Sequence, residues 1–245
     1  MQAELAILFA GEFAPFASFA DTLVIDSSRS AMPGRDYVSF ANMNDHLIRF
    51  APQWWHADRR ALVSEWSRYY LMRLVVPVVA AQMLLERALP IGFDDVGIID
   101  SEDGTPRQFV LRGLGECRPE EMGAARFLPL IDGYLAPLFD ALCMYAPLSS
   151  RVLWSNAGNG LEWAVTTWAR HPQVSPVALH DAQTLLKTET LPDGRKNPFY
   201  QPVRYIDVGE TEPWRQRRLC CIRYCLPGEE LCSNCPCRKA PHPLS

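Results

Sequence analysis

Several features that define common protein classes are missing from this 245-residue chain. Basic residues are not in excess, since the net charge is -4 and the pI is near 5.8. Proteins that bind nucleic acid usually carry a basic face that neutralises phosphates. No glycine-rich phosphate loop, dinucleotide fingerprint or flavin site is recognisable, and the five histidines show no metal-ligand spacing. We therefore expect no nucleic-acid partner and no nucleotide cofactor.

Membrane and secretion signals are also lacking. The N-terminus carries Glu4 and Glu12 where a secretory signal has Lys or Arg. The most apolar internal run, 74–85, is interrupted by Pro77 and Gln82 and is shorter than the roughly twenty apolar residues that span a bilayer. The sequence predicts a cytoplasmic protein without a transmembrane segment, and it leaves a peripheral membrane contact open.

The hydrophobic pattern predicts an α+β fold that is mainly helical, with a small antiparallel β-sheet. Asp58 is a good N-cap for a long buried helix with a kink near Pro77 and an end before Pro90. Two β-rich runs, 96–100 and 108–112, flank an Asp-Gly turn and predict a hairpin. Residues 1–50 predict only short helices and loops. The remaining pattern predicts helices at 119–142, 160–170 and 176–187 and strands at 203–208 and 214–220.

The chain is predicted to divide into a mainly helical body and a short irregular end. The body covers residues 1–210 and includes the hairpin near 96–112. The C-terminal segment, 211–245, is rich in cysteine and is predicted to pack on the body. The functional site is predicted to lie in this segment.

Six of the eight cysteines lie between Cys220 and Cys237. Disulfides are disfavoured, because the chain lacks a signal peptide and is poor in cysteine elsewhere. A structural zinc site usually combines two Cys-x2-4-Cys knuckles, but only Cys232-Ser233-Asn234-Cys235 is one, while Cys220 and Cys221 are adjacent. A two-iron cluster relaxes this constraint, because each of its irons takes two thiolates. An iron-sulfur cluster is favoured, with zinc as the alternative.

The charge of the cysteine segment favours thiolates. Residues 211–245 include six basic residues and three acidic ones, so this segment is positively charged although the whole chain has a negative net charge. Positive charge lowers the pKa of cysteine and offsets the negative charge of a thiolate-ligated cluster.

Two stretches resemble a known family. Residues 217–224, Arg-Arg-Leu-Cys-Cys-Ile-Arg-Tyr, followed by Leu226-Pro227 and the Cys232–Cys235 knuckle, resemble the C-terminal signature of the FhuF-type siderophore-iron reductases. Residues 153–158, Leu-Trp-Ser-Asn-Ala-Gly, are similar to a second stretch of that family. The resemblance implies a [2Fe-2S] cluster ligated by Cys220, Cys221, Cys232 and Cys235.

The resemblance also implies a function. The protein would be an oxidoreductase that passes one electron from its cluster to Fe(III) in a hydroxamate-type siderophore and releases Fe(II) in the cytoplasm. Because no nucleotide motif is present, the electron donor is expected to be a ferredoxin or a separate NAD(P)H-dependent reductase. The competing functions are a non-catalytic iron-sulfur carrier or redox sensor, and a zinc-stabilised binding module.

Six residues are candidates for docking the substrate or the donor: Arg217, Arg218, Arg223, Tyr224, Trp154 and Asn156. Each also has a structural interpretation, since Trp154 is a typical core residue, Ser155 and Asn156 resemble helix caps, and Tyr224 could pack over the cluster. The family signature does not require Cys225 and Cys237, which are either free thiols or alternative ligands.

Overall fold

The computed structural model describes residues 9–25, 30–117 and 123–240, which form short strands and helices of very different lengths. The α-helices are α1 (Gly34–Tyr37), α2 (Phe40–Phe50), α3 (Arg59–Leu84), α4 (Ala136–Tyr145), α5 (Ser150–Trp168) and α6 (Pro176–Lys187). The strands are β1 (Leu23–Val24), β2 (Met32–Pro33), β3 (Arg87–Ala88), β4 (Gly97–Asp100), β5 (Pro106–Val110), β6 (Glu116–Cys117), β7 (Val203–Ile206) and β8 (Trp214–Arg217). Short 3-10 turns lie at Gly11–Phe19, Pro52–Trp54, Gly123–Phe127 and Arg223–Cys225.

Helix α3 forms the centre of the protein. The side chain of Asp58 accepts a hydrogen bond from the backbone N–H of Arg60 at 2.9 Å, which caps the helix as predicted. The helix continues through Pro77, and most of its residues are buried. Because its surface is apolar on nearly all sides, it is surrounded by other elements instead of presenting one face to solvent.

Helix α5 packs along α3 and begins ten residues before the helix predicted at 160–170. A Cβ atom added at Gly160 would lie 3.2 Å from the sulfur of Met72, and one added at Gly158 would lie 2.8 Å from the Cβ of Pro202. The two glycines therefore permit close packing on two sides of α5. Glycine, serine and asparagine are poor helix formers, which explains why the sequence pattern missed the first half of this helix.

The sheets are small, and most of their pairs are antiparallel. Strands β4 and β5 form the predicted hairpin, in a four-stranded sheet of order β1-β5-β4-β2 in which only β1 and β5 pair in parallel. Strands β3 and β6 form one further pair, and β7 and β8 form another. The predicted α+β class, mainly helical with small sheets, is confirmed.

Two other predicted elements differ from the structure. Strand β8 ends at Arg217, so the prediction of a strand through Cys220 was wrong, because the chain turns at the cysteines. The helix predicted over 119–142 is divided into the 3-10 turn, a π-helical stretch at Pro129–Leu135 and α4, and its predicted start at 119–122 lies outside the described residues.

One described helical stretch, Gly123–Tyr145, is apolar and long enough to cross a membrane. This is weak evidence for a span, because Leu130, Tyr134 and Leu138 of the same stretch are buried in the core.

Candidate metal centre

The cysteine segment begins where β8 ends. Backbone hydrogen bonds hold it in place, since the N–H of Arg217 donates to the carbonyl of Asn234 at 2.9 Å and the N–H of Arg218 donates to the carbonyl of Pro202 at 3.0 Å. After Cys221, Ile222 adopts a left-handed conformation with φ 57°, and a 3-10 turn follows. The left-handed turn changes the direction of the chain directly after the two adjacent cysteines, at the start of the loop that leads to Cys232.

The four cysteines of the family signature form two close pairs. The sulfur atoms of Cys220 and Cys235 are 3.6 Å apart, and those of Cys221 and Cys232 are 4.0 Å apart. Two thiolates on one tetrahedral metal with bonds of about 2.3 Å are separated by roughly 3.8 Å. A two-iron cluster takes two thiolates at each iron. The donor set therefore fits a [2Fe-2S] cluster.

The thiol pairs lie at the edge of the protein. Cys221 and Cys235 are buried, whereas Cys220 and Cys232 are partly exposed, so each pair combines one buried and one partly exposed cysteine. Cys237 is exposed, and its sulfur lies within 4.8 Å of those of Cys220 and Cys235. Cys225 is partly buried. Of the two extra cysteines, Cys237 is therefore the one placed close to a pair.

The thiols have unequal proton affinities. The pKa of Cys221 is lowered to about 5, first by its hydrogen bond with Cys232, then by the N–H of Arg223 and by the charges of Arg217 and Arg68, against the effect of burial. The pKa of Cys232 is raised by the same hydrogen bond and by burial. Positive charge around the site thus favours the thiolate form of Cys221.

Arg217 supplies much of this positive charge from the interior. It is 1% exposed and forms no ion pair with a carboxylate in the part of the chain that the structure describes. Its Nε atom is buried without a hydrogen-bond partner among those residues, as is the Nε of Arg223. Burial lowers the pKa of Arg217, and the nearby thiolates of Cys221 and Cys232 oppose that effect. A buried cation with a free N–H beside four thiols suits a cluster that carries negative charge.

Asn156 joins the cysteine segment to the two main helices. Its Oδ1 accepts a hydrogen bond from Arg217 at 2.5 Å. Its Nδ2 lies 3.1 Å from the carbonyl and hydroxyl of Ser64 and from the hydroxyl of Ser67, both on α3. The hydroxyl of Ser64 in turn donates to the carbonyl of Cys221 at 2.7 Å. The polar residues of the 153–158 stretch therefore fasten the metal site to the core.

Two of the docking candidates lie on the inner wall of a cavity. Arg217 and Asn156 are buried and hydrogen-bonded to each other, and docking stays a prediction for both. Ser155 and Asn156 do not cap a helix, because they lie inside α5, and the hydroxyl of Ser155 donates to the carbonyl of Leu219 at 3.1 Å.

The other docking candidates lie at or near the surface. Trp154 packs edge-on against Phe139 and Phe199 and lines a cavity together with the exposed Arg218. Arg223 forms an ion pair with Glu229, and Tyr224 is 49% exposed. Docking stays a prediction for these four residues.

Several residues around the site could not be identified as site residues from the sequence alone. Ser64, Glu65 and Arg68 lie on α3, about 150 residues before the cysteines, in a pattern that indicates only a buried helix. Arg68 is held by Glu65 at 2.7 Å, and its charge acts on Cys221 and Cys232. No local signal connects these residues to the metal site, because packing alone brings them there.

Comparisons with known proteins match the same segments. The profile of the family described as ferric iron reductase FhuF-like transporter matches residues 64–212, and that of the FhuF 2Fe-2S C-terminal domain matches residues 217–236. The chain is 27% identical over 199 residues to the ferric siderophore reductase of Escherichia coli (strain K12). The aligned region covers 78% of this chain and 71% of that protein. The second profile coincides with the paired thiols. This chain therefore belongs to the FhuF ferric iron reductase family and is an oxidoreductase with a [2Fe-2S] cofactor in its C-terminal segment.

Proposed function

We propose that this oxidoreductase is a ferric-siderophore reductase that transfers one electron to Fe(III) held by a siderophore in the cytoplasm, so that Fe(II) is released. The observation that carries this proposal is the arrangement of four cysteines in two close pairs, each with one partly exposed cysteine. When bound, the [2Fe-2S] cluster supplies a one-electron carrier between the donor and the ferric ion. The relative named ferric siderophore reductase supports the choice of substrate.

The residues of the chain have distinct tasks in this proposal. Cys220, Cys221, Cys232 and Cys235 hold the cluster, and Arg217 offsets its negative charge from the buried side. The partial exposure of Cys220 and Cys232 allows a bulky chelate to approach closely. No covalent step is required, because a siderophore binds Fe(III) through hard oxygen donors far more tightly than Fe(II). Reduction of the iron by itself lowers the affinity of the siderophore for the metal.

The electron donor is proposed to be a second protein, either a ferredoxin or an NAD(P)H-dependent reductase. This follows from the lack of a nucleotide-binding motif in the sequence. The exposed Tyr224, next to Cys225, is the candidate contact for that partner. The cytoplasm is the proposed compartment, because reducing conditions keep thiols free of disulfides. The resemblance makes hydroxamate siderophores the first substrate class to test.

The test begins with protein purified without oxygen. About two irons and two acid-labile sulfides per chain are expected. The reduced protein is then mixed with a ferric hydroxamate siderophore, while the visible spectrum reports oxidation of the protein and a ferrous chelator captures the product. We expect prompt oxidation with one Fe(II) formed for each electron lost.

Two variants provide the comparison. Cys235→Ser removes a buried member of one pair and is expected to lose the cluster and the reduction of iron, whereas Cys143→Ser on α4 keeps both. A protein with one zinc and no sulfide would identify a zinc-stabilised binding module. An intact cluster that exchanges electrons with a ferredoxin but not with any ferric siderophore would identify a carrier or sensor. Either result would refute the reductase proposal.

A further inference from the structure

A cavity of about 480 Å³ opens between the start of α5 and the loop that precedes β7. Its aromatic walls come from Trp154 and Tyr200, and three basic side chains, Arg151, Lys196 and Arg218, lie around it. Its volume is in the range of small-molecule sites, which are commonly apolar pockets with a few charged or polar groups. The cavity is therefore large enough to accept most of a small chelate.

The charged side chains described around this cavity are all basic. None of the described residues that line it carries a carboxylate. Arg151, Lys196 and Arg218 are all exposed, and none of them forms an ion pair with a carboxylate in the described part of the chain. Arg218 donates a hydrogen bond to the neutral side chain of Gln201 at 2.5 Å. The three cations are thus available to an anionic ligand.

A second cavity, of about 470 Å³, lies between α3, α5 and β8, and its charges are already balanced in part. Two of its arginines are held by carboxylates, Arg68 by Glu65 at 2.7 Å and Arg215 by Glu162 at 2.5 Å. Arg73 and the buried Arg217, which also line this cavity, have no carboxylate partner among the described residues and donate to neutral oxygens. The cavity beside Trp154 has three exposed cations without a carboxylate partner against two such cations here, one of them buried, and therefore offers the stronger attraction for an anion.

The cavity beside Trp154 also adjoins the metal centre. Leu219, the residue before Cys220, forms part of its wall, and the carbonyl of Leu219 is held by the hydroxyl of Ser155. Cys220 is partly exposed. A ligand in this cavity would lie next to the partly exposed Cys220.

We propose that this cavity, defined by Arg151, Trp154, Lys196, Tyr200 and Arg218, binds the ferric chelate and selects one that carries net negative charge. The inference rests on the proposed function and specifies its substrate. Each hydroxamate loses one proton, so three of them around Fe(III) give a neutral complex. Catecholate and hydroxycarboxylate donors lose more protons and give an anionic complex. A siderophore that combines hydroxamate with hydroxycarboxylate donors satisfies both the family resemblance and the charge of the cavity.

Gallium(III) chelates separate binding from reduction, because Ga(III) has nearly the size and the same charge as Fe(III) but is not reduced under these conditions. Isothermal titration of the oxidised holoprotein would compare a neutral gallium tris-hydroxamate, an anionic mixed hydroxamate–hydroxycarboxylate and an anionic tris-catecholate. We expect both anionic complexes to bind at least about tenfold more tightly than the neutral one, with the preference shrinking as salt is raised from about 0.05 to 0.5 M.

Variants locate the site. The double variant Arg151→Gln/Lys196→Gln is expected to weaken binding of the anionic chelates about tenfold and that of the neutral one less than about twofold, because it removes two exposed charges. Arg151→Lys keeps the charge and should bind as the unaltered protein does. Lys187→Gln, on the last turn of α6, removes an exposed charge that does not line the cavity and should change nothing. Arg73→Gln tests the second cavity and should also be silent.

The outcomes distinguish the site from the function. Equal affinity for neutral and anionic chelates, or an unaltered affinity in the double variant, would overturn the proposed site. Weakening by Arg73→Gln in its place would move the site to the second cavity and overturn it as well. If gallium chelates bind as expected but the reduced protein does not reduce their ferric counterparts, the site stands and the reductase proposal fails. If ferric chelates are reduced equally well by the double variant, the reductase proposal stands and the site fails.

Discussion

Replacement of Asn156 by alanine tests the connection between the metal site and the core. The change removes the acceptor of Arg217 and the amide that bonds to the oxygens of Ser64 and Ser67. The bond to a charged donor contributes roughly 1.5–3 kcal/mol, and the two amide hydrogens contribute about 1 kcal/mol each. Because Arg217 is buried and, among the described residues, keeps only Ser155 as a side-chain hydrogen-bond partner, we expect a loss of about 3.5–5 kcal/mol in the free energy of unfolding.

Thermal unfolding of the holoprotein, followed by far-ultraviolet circular dichroism, measures this loss. For a chain of this size about 1 kcal/mol corresponds to roughly 2–4 °C, so Tm should fall by about 10 °C. Asn42→Ala is the matched control, since its amide donates at the surface to the carbonyl of Asp36 and, more weakly, to the sulfur of Met32, and a fall of only about 2–4 °C is expected. Equal effects of the two variants would refute the role of Asn156 as a buried connector.

A second variant separates electrostatics from stability. Asn156→Asp keeps an acceptor for Arg217 but adds a negative charge that neutralises this cation. Because the reduced cluster carries one more negative charge than the oxidised one, the reduction potential should become more negative. A redox titration followed by the visible spectrum measures the change. An unchanged or more positive potential would contradict the assignment of Arg217 as the counter-charge.

Three further predictions concern packing, pH and ligand identity. Gly158→Ala should lower the free energy of unfolding by about 1–3 kcal/mol, whereas Gly160→Ala, whose added methyl meets only a flexible side chain, should cost less than about 1 kcal/mol in the same urea titration. Burial opposes the ionisation of Asp100, but its hydrogen bonds outweigh this and lower its pKa to about 2. The ionised carboxylate of Asp100 stabilises the folded state by about 1 kcal/mol after solvent screening. This stabilisation is complete above about pH 4 and is lost as the pH falls toward 2. Asp100→Asn should therefore be less stable than the unaltered protein at pH 7 and equally stable near pH 2. Cys225→Ser and Cys237→Ser should each retain two irons by metal analysis, and loss of iron from either variant would show that it is a required ligand.

Elements defined by local pattern were predictable. The capped helix α3 and the hairpin of β4 and β5 follow from side-chain periodicity and an Asp-Gly turn, which act over a few residues. The helix α5 was predicted only in its second half, because Ser155, Asn156 and Gly158 have low helix propensity and are helical through their contacts with α3, Pro202 and the cysteine segment.

The sequence by itself determined which cysteines are grouped and that positive charge surrounds them, since both properties belong to one short segment. It could not determine how the thiols pair, because that depends on the path of the chain between Cys221 and Cys232. The sequence also could not predict that Arg217 is buried, or that Arg151, Lys196 and Arg218 lie around one cavity. These residues are separated along the chain by tens of positions, and only the packing of α5 against the segments that follow it brings their side chains together.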